Sequence, residues 1–128
     1  MDQVRELMSK DLFAKHSNVE LVEVGEGRAV ARMEVHDYHY NGFQVVMGGA
    51  IFTLADFAFA AACNSYGIPA VALGVHIAFM KGGKGNILTA EATEISKTKR
   101  TGHYQMIVTD EEGDVVAQMH GIAYRKAS

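Results

Sequence analysis

The chain has no tryptophan, one proline and one cysteine. A single cysteine, Cys63, excludes an internal disulfide and a metal cluster built from cysteines. It fits a reducing, cytoplasmic setting. Long apolar runs are also missing: the longest, residues 57–63, is far too short to cross a bilayer. The N-terminal MDQVRELMSKDLFAKHS is charged throughout and has no apolar stretch of signal-peptide type. Nor is there a basic excess. Lys and Arg number 12 against 15 Asp and Glu, for a net charge of −3, and they are spread along the chain. That argues against a nucleic-acid partner bound to a basic face. It leaves room for an anionic ligand of the coenzyme A type held by a few local cations. No repeat, low-complexity segment or linker is visible.

What is present is a core. The 128 residues are 48% hydrophobic, which excludes general disorder. A single domain spanning 1–128 is expected, and a chain of this size buries roughly two thirds of its unfolded surface. Val4, Leu7, Met8 and Leu12 recur at helical spacing and predict a short amphipathic helix over 3–14. VELVEVGEGRAVARMEV reads as two strands around a Gly-Glu-Gly-Arg turn. Residues 36–46 read as a loop. A helix follows over about 48–65, ending near Gly67 with Pro69 as a stop. PAVALGVHIAFMK is almost continuously apolar and predicts a central strand covered on both faces. NILTAEATEISKTK predicts another strand, and GHYQMIVTD and DVVAQMHGIAYRK form a hairpin about DEEGD. This order lacks βαβ alternation, so the class is α+β with an antiparallel sheet. A helix apolar all round must be covered on all sides. In a small chain the simple solution is a curved sheet wrapped around it, with a second subunit on the other flank, which is the build of a hotdog fold.

One charge interrupts that helix. Asp56 sits among Leu54, Ala55, Phe57, Ala58 and Phe59. The plain reading is that it bonds a nearby N–H or a lysine. The functional one is a carboxylate facing a cleft or a subunit boundary, where burial raises its pKa and makes it a better base. The pair Gly48 and Gly49 at the helix start supplies a complementary group: open N–H donors, a partial positive charge and close backbone approach. A carbonyl oxygen placed there is polarised as in an oxyanion hole. Eight residues separate Gly48 from Asp56, about 12 Å along the axis, so one carbonyl cannot meet both in one chain. Two such helices packed antiparallel about a twofold axis bring Gly48 of one beside Asp56 of the other. A homodimer with two shared sites is therefore expected; a homotetramer is expected as well, although the spacing does not say how dimers pair.

The stretch NGFQVVMGGAIFTLADFAFAAACNS resembles the signature of hotdog-fold acyl-CoA thioesterases of the phenylacetate-degradation (PaaI-like) type. KTKRTGHYQ, D..G..VA and GIAYRK add to the resemblance, which covers roughly residues 18–126. It implies hydrolysis of aryl- or medium-chain acyl-CoA to free acid and CoA. It places the catalytic carboxylate on Asp56, the N–H that binds the thioester carbonyl on Gly48 with Gly49 beside it, and a polar loop residue that orients water or the carboxylate on Asn41. No metal and no cofactor is implied, since coenzyme A is part of the substrate. Met47 stands where the family commonly has His. The strand after the helix, where some related enzymes position water with Ser or Thr, has Gly74 and Val75, with His76 near; these three, with Met47 and Gly49, are candidate substrate contacts. A non-catalytic acyl-CoA-binding hotdog protein is the alternative. The Gly-Asp-x-Asn-Pro-x-His pattern of hydratases on this fold is absent.

Lys81 and Lys84 around KGGKGN, and Arg100 in KTKRTG, are candidates for the CoA phosphates, against a plain turn and solvated charge. His36 and His39 form a loop pair without a third metal ligand. His103 and His120 read as sheet-surface residues. Cys63 reads as core rather than nucleophile, and no G-x-S-x-G elbow occurs.

Overall fold

The computed structural model describes residues 1–126. In chain order the elements are α1 (Asp2–Ser9), α2 (Leu12–His16), β1 (Val19–Gly25), β2 (Arg28–Glu34), α3 (Gly48–Cys63), β3 (Ala70–Phe79), β4 (Ile87–Lys97), β5 (Thr101–Thr109) and β6 (Val115–Arg125). A single turn of 3-10 helix at Asp37–His39 precedes α3. The six strands form one antiparallel sheet in the order β1-β2-β4-β5-β6-β3. Helix α3 lies across its inner face. This is the hotdog arrangement expected from the sequence.

Period-two alternation sets the inner face. It buries Ala29, Ala31 and Met33 from β2, Leu88, Ala90 and Ala92 from β4, and Tyr104, Met106 and Val108 from β5. From β6 it buries Ala117, Met119 and Ala123. So many alanines make a shallow floor, and α3 settles close to the sheet. Gly121 of β6 is the extreme case, because a Cβ there would stand 2.7 Å from the Phe59 ring. On the outer face Arg28 pairs with Glu23 and Glu91, and Arg32 with Glu20. These pairs are exposed and contribute little beyond register. At the C-terminal end of α3, the Glu94 carboxylate accepts hydrogen bonds from the Tyr66 and Tyr104 hydroxyls. That ties the helix end to β4 and β5.

Three expectations need correction. The predicted helix over 3–14 is two helices. The Asp11 carboxylate accepts the Ala14 N–H at 3.0 Å, so a new N-cap starts α2 where helical spacing alone reads straight through. The central helix ends at Cys63, two residues short of the expected 65. Asn64 then binds the Ala60 and Ala70 carbonyls and accepts the Ala70 N–H, which turns the chain into β3. Most consequential, β3 is not a central strand. It pairs only with β6 and forms a sheet edge, with Val71, Leu73, Val75 and Phe79 exposed. An apolar run does not by itself tell a central strand from an edge strand. Among the described residues no helix is long and apolar enough to cross a membrane.

The close approach at Gly121 has a direct consequence. Phe59 is itself buried on every side, at 1% exposure, so its ring has nowhere to move. Gly121→Ala is expected to cost about 1–3 kcal/mol through overpacking, read as a lower urea midpoint at unchanged slope.

Candidate active site

Helix α3 buries Ile51, Leu54, Ala55, Phe57, Ala58, Phe59, Ala61 and Ala62 against the sheet and the N-terminal segment. One stripe escapes. Phe52, Asp56, Ala60 and Asn64 recur every four residues and are each only partly buried, so they share one open face of the helix. Asp56 therefore lies at the boundary between core and solvent. Its environment holds no hydrogen bond and no ion pair among the described residues, so the plain reading of a locally satisfied carboxylate fails. Burial, and secondarily the nearby charge of Asp11, push its pKa above the ordinary 3.8.

The other half of the expected site is the start of the same helix. Met47 is the N-cap and provides no side-chain hydrogen bond, so the Gly48 and Gly49 N–H groups keep the open valence of a helix N-terminus. Gly48 packs beneath Phe79, whose ring lies 3.2 Å from where a Cβ would stand. Val45, Val46, Ile51, Phe79 and Met80 surround it in an open cavity of about 340 Å³. Met47 is half exposed, with its Cε 3.4 Å from the position a Gly49 Cβ would take. A larger cavity of about 720 Å³ opens beside Ala60 and Asn64, at the far end of the helix.

The preceding loop is held by Asn41. Its Oδ1 accepts the Phe43 and Val45 N–H groups at 2.9 and 3.2 Å. Only the Nδ2 donor of Asn41 is left for a substrate or water. The histidines of the loop are structural. His39 is buried; its Nδ1 accepts the His36 N–H, which leaves Nε2 to donate to the Ser17 carbonyl. No three-ligand metal group occurs among the described residues. Cys63 is buried, and its thiol is pushed up to about 12, chiefly by burial; it is no nucleophile.

The remaining sequence candidates scatter. A β-bulge between Ala72 and Gly74 sets the register so that Gly74 pairs with Ile122 and His76 with His120. These are outer-face positions, and the His120 ring meets His103, with His120 Nε2 and His103 Nδ1 3.4 Å apart. Gly74 and His76 thus lie on the side of the sheet away from α3, and one chain does not bring them to Asp56 or Gly48. Val75, opposite Gly121, shares the helix-facing side. Lys81 is already engaged, with Nζ 2.7 Å from Asp114 Oδ2 and 3.6 Å from Asp110 Oδ2. Lys84 donates its backbone N–H to Asp110 and keeps an exposed side chain. Arg100 is exposed in the β4–β5 turn beside the end of β6, at the opposite end of the sheet from Lys81, about 30 Å away along the strands. The three cations do not converge within one chain.

Residues 43–117 match the thioesterase superfamily. The chain belongs to that superfamily. It is 38% identical over 120 residues to the acyl-coenzyme A thioesterase PaaI of Escherichia coli, covering 93% of this chain and 86% of that protein. The solved structure of the E. coli PaaI protein, from the phenylacetic acid degradation operon, superposes with a TM-score of 0.94 at 34% identity, over 99% of this chain and 93% of that one. A putative esterase of Archaeoglobus fulgidus is 37% identical over 127 residues, 98% of this chain and 82% of that protein. A Streptococcus mutans protein solved bound to acetyl-CoA matches with a TM-score of 0.81 at 26% identity, over 87% of this chain and 90% of that one.

Two residues beside the candidate site are not singled out by the sequence pattern. Asp11 falls in the middle of the helix that periodicity predicts, although an Asp directly before Leu-Phe is itself an N-cap signal. Phe79 lies 31 residues beyond Gly48 and reaches it only through the sheet, which no local pattern displays.

The raised pKa of Asp56 fixes a sign for stability. The unfolded chain ionises this group near its ordinary value, and the folded chain only at higher pH. Stability is therefore lost as pH rises through that window, and above it the fold carries an uncompensated charge. Asp56→Asn is expected to melt above the wild type at neutral pH, with the gap closing as pH falls toward 3.8. Calorimetric scans across pH check this; a variant that melts lower at neutral pH contradicts it.

Proposed function

We propose that this chain hydrolyses acyl-CoA thioesters, with aryl or medium-chain acyl groups, to free acid and CoA. The observation that carries the proposal is Asp56: a half-buried carboxylate without a partner, on the open stripe of α3. The PaaI relationship supports the same chemistry. The thioester carbonyl oxygen accepts the Gly48 N–H, and the end of the helix dipole stabilises the negative charge that develops there. Asp56 acts on the carbonyl carbon, either by taking a proton from an attacking water or by attacking directly with water cleaving the resulting anhydride. In both routes the C–S bond breaks, water supplies the new oxygen, and CoA leaves with a proton on sulfur. The amide of Asn41 is the donor left to orient water or carboxylate. No metal or cofactor is needed beyond the CoA of the substrate, and the reaction suits a cytoplasmic enzyme.

The working unit is a homodimer with two shared sites. Gly48 and Asp56 lie about 12 Å apart along one helix, so each completes a site with the other's counterpart. The exposed apolar side chains of β3 and its unpaired edge supply the surface that a second copy covers. Pairing of edge β3 strands places the Lys81 and Lys84 end of one copy near the Ala70 end of the other, where they can attend the CoA phosphates. Dimers pairing again give a tetramer.

One observation favours a second reading, an acyl-CoA-binding protein without turnover. Met47 stands at the helix N-cap with no side-chain hydrogen bond, and a thioether is a poor donor or acceptor for a thioester. Two variants decide between them. Asp56→Asn is expected to lower kcat on a CoA-thioester panel by about 10²–10⁴-fold; unchanged hydrolysis rejects the catalytic role. Gly48→Pro removes the N–H but also sets a ring against Phe79, 3.2 Å from the Cβ position, so Gly48→Ala, with the same Cβ and the N–H kept, is its control. Gly48 is the first helical residue, where proline is tolerated, and Met47 is already extended at φ −61°, ψ 138°. A fall in kcat of about 10²–10³-fold relative to Gly48→Ala is expected.

A further inference from the structure

We infer that the cavity between α1 and the C-terminal half of α3 receives the acyl group of the thioester, and that Leu7 on α1 sets how large an acyl group fits. This rests on the thioesterase reading and deepens it. The cavity, about 720 Å³, is of a size usual for small-ligand sites, roughly 300–1,000 Å³. Its apolar wall is Val4, Leu7 and Met8 of α1, Ala60 of α3, and Ile68 and Pro69 of the turn into β3.

Position ties this cavity to the reacting centre. Ala60 follows Asp56 along the open stripe of α3 by one turn, about 6 Å of rise, and Asn64 follows by two. Asp11 links them independently: it lines the cavity and its charge is felt at Asp56. A carbonyl carbon held at Asp56 therefore has a chamber beginning one turn away.

The chemistry of the wall suits hydrocarbon rather than the CoA arm. The amide of Asn64 is spent on the Ala60 and Ala70 carbonyls and the Ala70 N–H. Lys10 is the one cation on the lining. Leu7 is singled out by what it does not do. Its helix neighbours Val4 and Met8 are buried in the core, at 4% and 6% exposure, while Leu7 is 47% exposed on the cavity wall. Its volume can change without opening the core.

The test compares Leu7→Trp and Leu7→Ala with wild type on acetyl-CoA, octanoyl-CoA and phenylacetyl-CoA. The readout is the ratio of kcat/KM for each larger thioester to that for acetyl-CoA. The ratio is expected to fall about tenfold or more in Leu7→Trp and to rise for octanoyl-CoA in Leu7→Ala. Ratios within about twofold of wild type in both variants overturn the inference. Leu7→Ala keeps the comparison valid if the bulky variant folds poorly, since alanine favours the helix. The same substitutions in an Asp56→Asn background are read by calorimetric binding of octanoyl-CoA against CoA. The advantage of the acylated ligand must shrink with Trp; if it does not, the chamber lies elsewhere. If the wild type hydrolyses none of the three thioesters, the thioesterase reading fails, and the binding ratio still judges the chamber.

Discussion

A helix that is apolar on every side has to be enclosed, and one small sheet encloses only part of it. That mismatch organises the molecule. The alanine floor of β2, β4 and β6 brings α3 close. Phe59 settles over the bare backbone of Gly121, and α1 and α2 close part of the remaining flank. What stays open is a narrow stripe through Phe52, Asp56, Ala60 and Asn64, widened by Gly49 and Thr53 toward the helix start. The carboxylate is neither solvated as on a surface nor paired as in a core. Both its raised pKa and its availability follow from that intermediate position.

The opening is matched to the other unused surface. β3 is an edge strand whose side chains are apolar and exposed, and it begins and ends beside the two cavities at the two ends of α3. One chain thus carries two separate openings, one at the helix N–H donors and one an apolar chamber that begins a turn beyond Asp56. On the proposed account the subunit contact is part of the chemistry, because the donor and the base meet only across it. The arrangement also explains how Met47 is compatible with turnover. The backbone donor at Gly48 belongs to the helix start, against which Phe79 packs, and not to the side chain before the glycines.

Much of this was legible in the residues, for identifiable reasons. Alternation in β2, β5 and β6 and the turn at DEEGD report contacts within a hairpin or one sheet face, which sequence spacing records directly. The charge of Asp56 and the glycines before it stood out because each contradicts the pattern around it. The misreadings were of two kinds. At Asp11, a capping side chain overrode helical periodicity and split one predicted helix into two. At β3, pattern could not distinguish burial by the same chain from exposure to another. The bulge after Ala72 then turned Gly74 and His76 outward, a shift of register that depends on the partner strand β6 and not on β3 itself. Lys81 looked free only because Asp110 and Asp114 lie some thirty residues further along the chain.

The central claim is that each site takes its N–H donor from one chain and its carboxylate from the other. Mixing two inactive variants tests it most directly: Gly48→Pro and Asp56→Asn, unfolded together and refolded at equal concentration. Random pairing makes roughly half of the dimers hybrid, each with one of its two sites intact, so the mixture should recover about a quarter of wild-type turnover. If both groups act within one chain, no hybrid holds a complete site. A mixture as inactive as either variant alone, with hybrid dimers demonstrated by mass, would contradict the account.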